Sequence, residues 1–218
     1  MDIAQTIALT MGVAWASGIN LYAAILMLGV MGATGNMVLP DELQILSDPM
    51  VLAAAGFMYF VEFFTDKVPG IDSGWDSIST FVRIPAGAIL AAGAIGDVGP
   101  AAQLAAGIAG GTLTAGTHAT KAGSRVLINT SPEPVSNWFA SVGEDVAVIL
   151  GLWTALYHPV LFIVLLILFI LFMIWALPKL WRGIRKVFGF IGRKLGNHTA
   201  AEPQDKLPPP ASTTDTRP

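Results

Sequence analysis

The run from Ile3 to Ala33 contains no charged residue. A transmembrane helix needs about 20 consecutive apolar residues, so this run can cross a bilayer with length to spare. The composition agrees, because the 218 residues are 54% hydrophobic and only 12% charged, whereas about a quarter of a soluble domain is charged. We therefore predict an all-α, polytopic membrane helix bundle.

The start of the chain and its motifs argue against several classes of protein. No positive charge precedes the apolar run, so we expect a retained span rather than a cleaved signal peptide. The absence of Cys excludes disulfides, thiolate metal sites and a Cys nucleophile. No phosphate-binding loop, dinucleotide fingerprint or hydrolase motif is legible, which argues against an ATP-driven pump. We expect no cofactor, no metal ion and no catalytic residue, with an enzyme as the less favoured class.

Five further helices are predicted by apolar runs between Pro, Gly and charged residues. Asp72 or Ser73 would cap the third helix of the chain, and Pro85 would bend it. In the first helix, the polar, Gly-containing segment 16–20 predicts a kink or break. Residues 34–49 predict an aqueous loop. The five ranges are 50–68, 73–95, 101–129, 135–157 and 160–177, which gives about six spans in all.

Residues 179–196 differ in character from the apolar span before Pro178. On a helical wheel, Trp181 and Phe188 lie with other apolar side chains on one face, and the basic side chains lie on the other. This segregation is typical of an amphipathic helix that rests on anionic lipid headgroups. The residues assigned to the lipid surface are Lys179, Arg182, Arg185, Lys186, Arg193 and Lys194. Residues 197–218 are predicted to be a disordered tail, so the chain divides into 1–178, 179–196 and 197–218.

The positive charges are unevenly distributed along the chain. Eight of the twelve Lys and Arg residues follow Leu177. Because cytoplasmic segments carry an excess of Lys and Arg, the C-terminal segment is expected in the cytoplasm, and six spans place the N-terminus there too. We therefore predict a multi-pass protein of the bacterial inner (plasma) membrane with both termini cytoplasmic.

Two predicted helices carry charges on a single face. Glu62 and Asp66 are four residues apart, and His118, Lys121 and Arg125 are spaced by three and four, which aligns each set along its helix. A charge inside a membrane helix costs about 2.5–3.5 kcal/mol on insertion scales. Neither face suits lipid, so we predict that the acidic face and the basic face meet.

Neighbouring polar residues extend these faces into a candidate pathway or polar network. Its members are Asn20, Glu62, Asp66, Asp72, Asp76, Arg83, His118, Lys121, Arg125, Asn129, Glu144 and Asp145. Three interpretations stay open: salt bridges that only fix helix packing, a pathway for an ion or polar solute, and an enzymatic or metal site. Four of the carboxylates are candidate oxygen ligands for a divalent cation, namely those of Glu62, Asp66, Asp72 and Asp76. The segment around Asn20 is either a packing kink or an unwound helix whose free carbonyls bind an ion.

The two halves of the chain share a weak internal repeat of pattern, without repeated residue identities. In each half a charged helix end leads through a Pro-containing loop to a Trp, Trp75 or Trp138, near the start of the next helix. A charge of opposite sign follows about two turns later. Transporters are often built from such repeats, with sites at broken helices.

Three stretches resemble a bacterial membrane family known as domain of unknown function 4126. The likeness covers roughly residues 5–178 and implies a multi-pass membrane protein without an established activity, cofactor or catalytic residue. The stretches are Ala16-Ser17-Gly18-Ile19-Asn20-Leu21-Tyr22, Glu62-Phe63-Phe64-Thr65-Asp66-Lys67-Val68-Pro69 with Asp72, and His118 through Lys121 and Arg125 to Asn129-Thr130-Ser131-Pro132-Glu133-Pro134.

The functional hypothesis favoured by the sequence is a small secondary transporter or channel-like protein. One alternative is a membrane enzyme that clamps a lipid phosphate with His118, Lys121 and Arg125, and another is a scaffold that transports nothing. A transporter predicts a charge-lined route near the membrane midplane, an enzyme predicts an opening at headgroup depth, and a scaffold predicts fully paired charges. The expected partners are the lipid bilayer, a small ion or polar solute and, as an open alternative, further copies of the chain; no nucleic acid is expected.

Overall fold

The computed structural model describes residues 2–68, 70–130 and 134–196, and every element within these ranges is helical. The helix bundle predicted from the sequence is therefore confirmed. A 3₁₀ helix, which the sequence did not predict, interrupts the loop after the first helix. The elements are α1 (Ile3–Ala33), the 3₁₀ helix (Asp41–Ser47), α2 (Pro49–Thr65), α3 (Ile71–Ala94), α4 (Pro100–Ile128), α5 (Pro134–Tyr157) and α6 (Pro159–Gly196).

Helix α1 is broken at Asn20, whose backbone leaves the helical region at φ −146° and ψ 98°. The side-chain oxygen of Asn20 accepts a hydrogen bond from the amide of Ala23 at 3.0 Å and so replaces part of the interrupted backbone pattern. The predicted kink is confirmed. The break leaves the carbonyls of Gly18 and Ile19 available to other helices.

The predicted cap of α3 is wrong. The N-cap is Gly70, with a positive φ of 88° that suits glycine, and no side chain caps it. Asp72 instead lies in the first turn, where its Oδ1 accepts hydrogen bonds from the amides of Gly70 (2.9 Å) and Ser73 (2.6 Å). The carboxylate therefore stabilises the start of the helix from inside it.

Helix α1 packs against α2, α3, α4 and α5, while α3 and α4 pack along each other. Helix α1 comes close to α4 at Gly18. A Cβ added there would lie 2.7 Å from the carbonyl oxygen of Thr114 and 2.7 Å from the Cβ of Thr117. This tight crossing brings the break in α1 next to the charged half of α4.

Four helices are long and apolar enough to cross a membrane, namely α1, α3, α5 and α6. The 3₁₀ helix and α2, bent by 68° between them, add a fifth span if they act as one. Helix α4 does not reach the same hydropathy, because Gly, Thr and charged residues make up much of its buried face. The apolar helices identify an integral membrane protein.

Helix α6 runs through Pro178 to Gly196, so the basic segment after Pro178 is helical and continues the apolar helix before it. Pro inside a membrane helix is tolerated when neighbours satisfy the freed backbone groups. Within the first compact unit, Met1–Ile184, the side chains of Leu180 and Ile184 lie 3.4 and 3.7 Å from the Cβ position of Gly123 on α4. These apolar residues therefore face protein, whereas Lys179 and Arg182 are exposed.

The second unit, Arg185–Pro218, is described only as far as Gly196. Arg185 and Lys186 are exposed there. The side chains of Arg193 and Lys194, the predicted tail 197–218 and residues 131–133 of the loop before α5 lie outside the described residues.

Candidate functional site: a buried charged network

The acidic face of α2 and the basic face of α4 meet inside the bundle. Lys121 lies 3.4 Å from Glu62 and 3.0 Å from Asp66, measured from Nζ to the nearest carboxylate oxygen. It also approaches Asp76 at 3.7 Å and Glu144 at 3.4 Å. The predicted contact between the two faces is confirmed, and one ammonium group faces carboxylates from α2, α3 and α5.

Arg83 of α3 is fully buried and joins α2 to the break in α1. Its Nη2 donates a short hydrogen bond to Glu62. Its Nη1 donates to the carbonyl of Ile19 at 2.6 Å and to that of Gly18 at 3.4 Å. Lys121 donates to the same Ile19 carbonyl at 3.0 Å. The carbonyls released by the break are therefore occupied by side chains of the protein.

Arg125 links the C-terminal ends of α2 and α4 to α5. Its Nε and Nη2 donate to the two oxygens of Glu144 at 3.0 and 2.7 Å, the two-pronged geometry that suits a guanidinium. Its Nη1 donates to the carbonyls of Asp66 (3.2 Å) and Asn137 (3.0 Å). Glu144, at 19% side-chain exposure, is the member of this group that reaches the surface.

Seven charged residues are connected by ion pairs, and we call this group the buried charged network. They are Glu62, Asp66, Asp76, Arg83, Lys121, Arg125 and Glu144.

The internal repeat of pattern in the sequence has a counterpart in the ion pairs. Within the α2–α3 hairpin, the cation Arg83 pairs back to the anion Glu62. Within the α4–α5 hairpin, the anion Glu144 pairs back to the cation Arg125. The two pairs have opposite polarity, and Lys121 contacts the carboxylate of each.

Asp72 and Asp145 lie beside the network and are satisfied by neutral donors. Asn129 donates to both oxygens of Asp72 at 2.7 and 2.9 Å. Asn20 donates to Asp145 at 2.9 Å, and the hydroxyl of Tyr59 donates to its other oxygen at 3.2 Å. Both carboxylates are buried with no described cation within ion-pair distance, which separates them from the network.

Asp76 is the exception among the buried carboxylates. It is 1% exposed, and neither oxygen accepts a hydrogen bond from a described residue. Its nearest cations are Lys121 at 3.7 Å and Arg83 at 3.8 Å, both beyond hydrogen-bond distance. Asp76 therefore lies in the field of two cations while its oxygens lack a donor.

His118 does not join Lys121 and Arg125 in a common clamp. Its Nε2 lies 2.7 Å from the hydroxyl of Thr80 and 3.1 Å from the backbone carbonyl of Asp76. The cations on the same helix face contact carboxylates and carbonyls instead. The three residues share a face, as predicted, but point to different partners.

No group of three or more His, Asp or Glu side chains within the described ranges is placed to hold a metal ion. The four carboxylates proposed as divalent-cation ligands do not form such a group, because three of them lie around the ammonium of Lys121. Asp72 faces Asn129, whereas Glu62 and Asp66 face Lys121. The metal interpretation of these residues has no geometric support.

Several neutral partners were missed by the sequence. Thr80, Asn137 and the carbonyl of Ile19 all contact network residues or His118. A lone Thr or Asn in an apolar helix carries little signal, and a backbone acceptor carries none, because its availability depends on the break in α1.

The family described as domain of unknown function (DUF4126) matches residues 7–179. The chain belongs to this family. The match spans α1 to α5 and the apolar part of α6, so it includes the whole buried charged network and ends where the basic segment begins. No curated protein and no solved structure matches the chain.

Proposed function

We propose that this DUF4126 protein is a small secondary transporter of the bacterial inner membrane, whose route for an ion or small polar solute passes through the buried charged network. One observation carries the proposal. Within the network, three cations face four carboxylates, and the surplus carboxylate, Asp76, accepts no hydrogen bond from a described residue. A network built only for stability would gain from giving every buried polar group a partner, since an unsatisfied one costs about 1–3 kcal/mol.

The position of the break in α1 supports the same function. Transporters commonly form their sites where helices are discontinuous, because the released backbone groups can bind charge. Here the released carbonyl of Ile19 receives Arg83 and Lys121, which are also paired with Glu62. A change in the charge of one carboxylate would therefore alter contacts to α1, α2, α3 and α4 together.

Lys121 is suited to changing partners. Its ammonium lies between 3.0 and 3.7 Å from four carboxylates on three helices. A Lys is a compact charge on a flexible stem, so it can move between such partners without the fixed geometry that a guanidinium requires. Glu144, which is partly exposed, would connect this group to water.

The lipid-phosphate enzyme receives less support. A phosphate clamp needs cations that face an open site, whereas Lys121 is 5% exposed, Arg125 is fully buried, and both contact carboxylates. A scaffold that transports nothing is the other interpretation. It predicts no flux, because a sealed network would let no ion or solute pass.

The experiment is charge movement in proteoliposomes adsorbed on a solid-supported membrane. Rapid solution exchange would present H⁺, Na⁺, K⁺, chloride, phosphate and a panel of small amino acids and sugars in turn, at fixed ionic strength. We expect at least one exchange to give a current that Lys121→Gln abolishes and the exposed-site control Asp97→Asn retains. Currents no larger than those of protein-free liposomes for every solution would reject the proposal.

A further inference from the structure

We infer that Asp76 carries a proton in the resting protein and that this proton is the coupling ion. This inference deepens the proposed function. Only the role of the proton in transport rests on that function. The protonation itself is a property of the folded protein and is tested separately below.

The first support is the contrast between Asp76 and the other buried carboxylates. Asp72 accepts hydrogen bonds from two backbone amides and from Asn129, and Asp145 accepts them from Asn20 and Tyr59. A buried carboxylate anion needs such donors, since hydrogen bonds to the charged form stabilise it. Asp76 has none within the described ranges, which is the environment that favours the neutral acid.

The second support is the balance of charge around Asp76. The groups that face it are Glu62 and Asp66 on α2, Arg83 on its own helix, His118 and Lys121 on α4, and Glu144 on α5. Arg83 is committed to Glu62, and Arg125 to Glu144. Lys121 then serves Asp66 at 3.0 Å and leaves Asp76 without a cation of its own. One added proton brings the network to neutrality.

A metal cation fits this position poorly. It would have to bind Asp76 with Lys121 and Arg83 both within 4 Å of that carboxylate, and the described part of the chain offers no group of three acidic or His ligands. A proton needs one oxygen and no coordination shell. The step is Asp76–COOH to Asp76–COO⁻ plus H⁺, with the proton passing to water and Lys121 free to move towards the new anion.

The test is infrared spectroscopy of the full chain in lipid at neutral pH, with aspartate labelled with ¹³C at the side-chain carboxyl. A protonated buried carboxyl gives a C=O stretching band separate from the carboxylate bands. We expect one such band that shifts with the label, disappears in Asp76→Asn and persists in the exposed control Asp97→Asn. Asp76→Glu should restore a band that no longer shifts with labelled aspartate, which shows that loss in Asp76→Asn is not misfolding.

Absence of the band in the native protein at neutral pH would overturn the inference. Persistence of the band in Asp76→Asn, with loss in Glu62→Gln or Asp66→Asn, would also overturn it, because the proton would reside elsewhere. The proposed function fails differently, by absence of flux for every solution tested. A band without flux therefore supports a protonated Asp76 and rejects transport. Flux without a band supports transport and rejects a protonated Asp76.

Discussion

Arg83 of α3 and Glu62 of α2 form an ion pair in which both side chains are completely buried. The same guanidinium donates to the carbonyl of Ile19 at the break in α1. Arg83 therefore connects α3 to both α2 and α1. Its pair with Glu62 is also the α2–α3 member of the two hairpin pairs of opposite polarity.

Breaking this pair should be more harmful than deleting it. Glu62→Gln or Arg83→Gln alone leaves the partner charge buried without its nearest counter-ion, and breaking a buried pair in this way typically costs about 3–5 kcal/mol. The double variant should cost less than the sum of the two single variants. Unfolding of the detergent-solubilised protein by added denaturing detergent measures this, with the exposed Asp97→Asn as the reference. Additive losses would show that the two residues do not interact as described.

Gly18 should tolerate no side chain. In Gly18→Ala the new Cβ would lie 2.7 Å from the Thr114 carbonyl and from Thr117, and overpacking of this kind costs about 1–3 kcal/mol. Gly74→Ala is the matched control, because nothing lies within 4 Å of its Cβ position and Ala is favoured over Gly in a helix by about 0.5–1 kcal/mol. The temperature of thermal unfolding in detergent should be lower for Gly18→Ala than for the native protein, and equal or higher for Gly74→Ala. A loss of the same size in both would contradict the close crossing of α1 and α4.

The sequence predicted helix positions better than it predicted partners. The limits of α1 follow from an uncharged run, and those of α5 differ from the prediction by one residue. The contact of Lys121 with Glu62 and Asp66 follows from one-faced charges that lipid would exclude. Helix periodicity contains no distances between helices, however, so it cannot assign Glu62 to Arg83 or Glu144 to Arg125.

Other features depend on interactions that leave no periodic signal. The 3₁₀ helix is a short piece of a polar loop. Gly70 replaces Asp72 as the cap of α3 because its positive φ reverses the chain there. The continuity of α6 through Pro178 was also missed, since Pro usually ends a helix in water but not in a packed membrane bundle.

Reporter fusions should decide whether α4 crosses the membrane. If all six α-helices cross, fusions after Asn36 and Asp97 should report one compartment, and fusions after Asn129 and Gly196 should report the cytoplasm. Helix α4 is the critical case, because it falls short of the hydropathy of the other spans. Identical compartments after Asp97 and Asn129 would mean that α4 enters the bundle without crossing.

The basic segment should bind anionic lipid. Lys179, Arg182, Arg185 and Lys186 are exposed, and each basic residue near an anionic surface contributes about 1 kcal/mol. A peptide of residues 179–195 should become helical on anionic vesicles and much less so on neutral ones, as measured by circular dichroism. A control peptide with these four residues changed to Gln should lose most of the difference. Equal helicity on both vesicle types would remove the electrostatic part of this prediction.

The most direct test of the central claim is the current that follows a step in pH on a solid-supported membrane without any other solute. If the buried charged network exchanges a proton with water through Glu144, the native protein should give a transient current as Asp76 gains or loses its proton. Asp76→Asn should abolish the transient, Glu144→Gln should slow it, and Asp97→Asn should leave it unchanged. A transient of the same size and rate in Asp76→Asn and in the native protein would contradict the account.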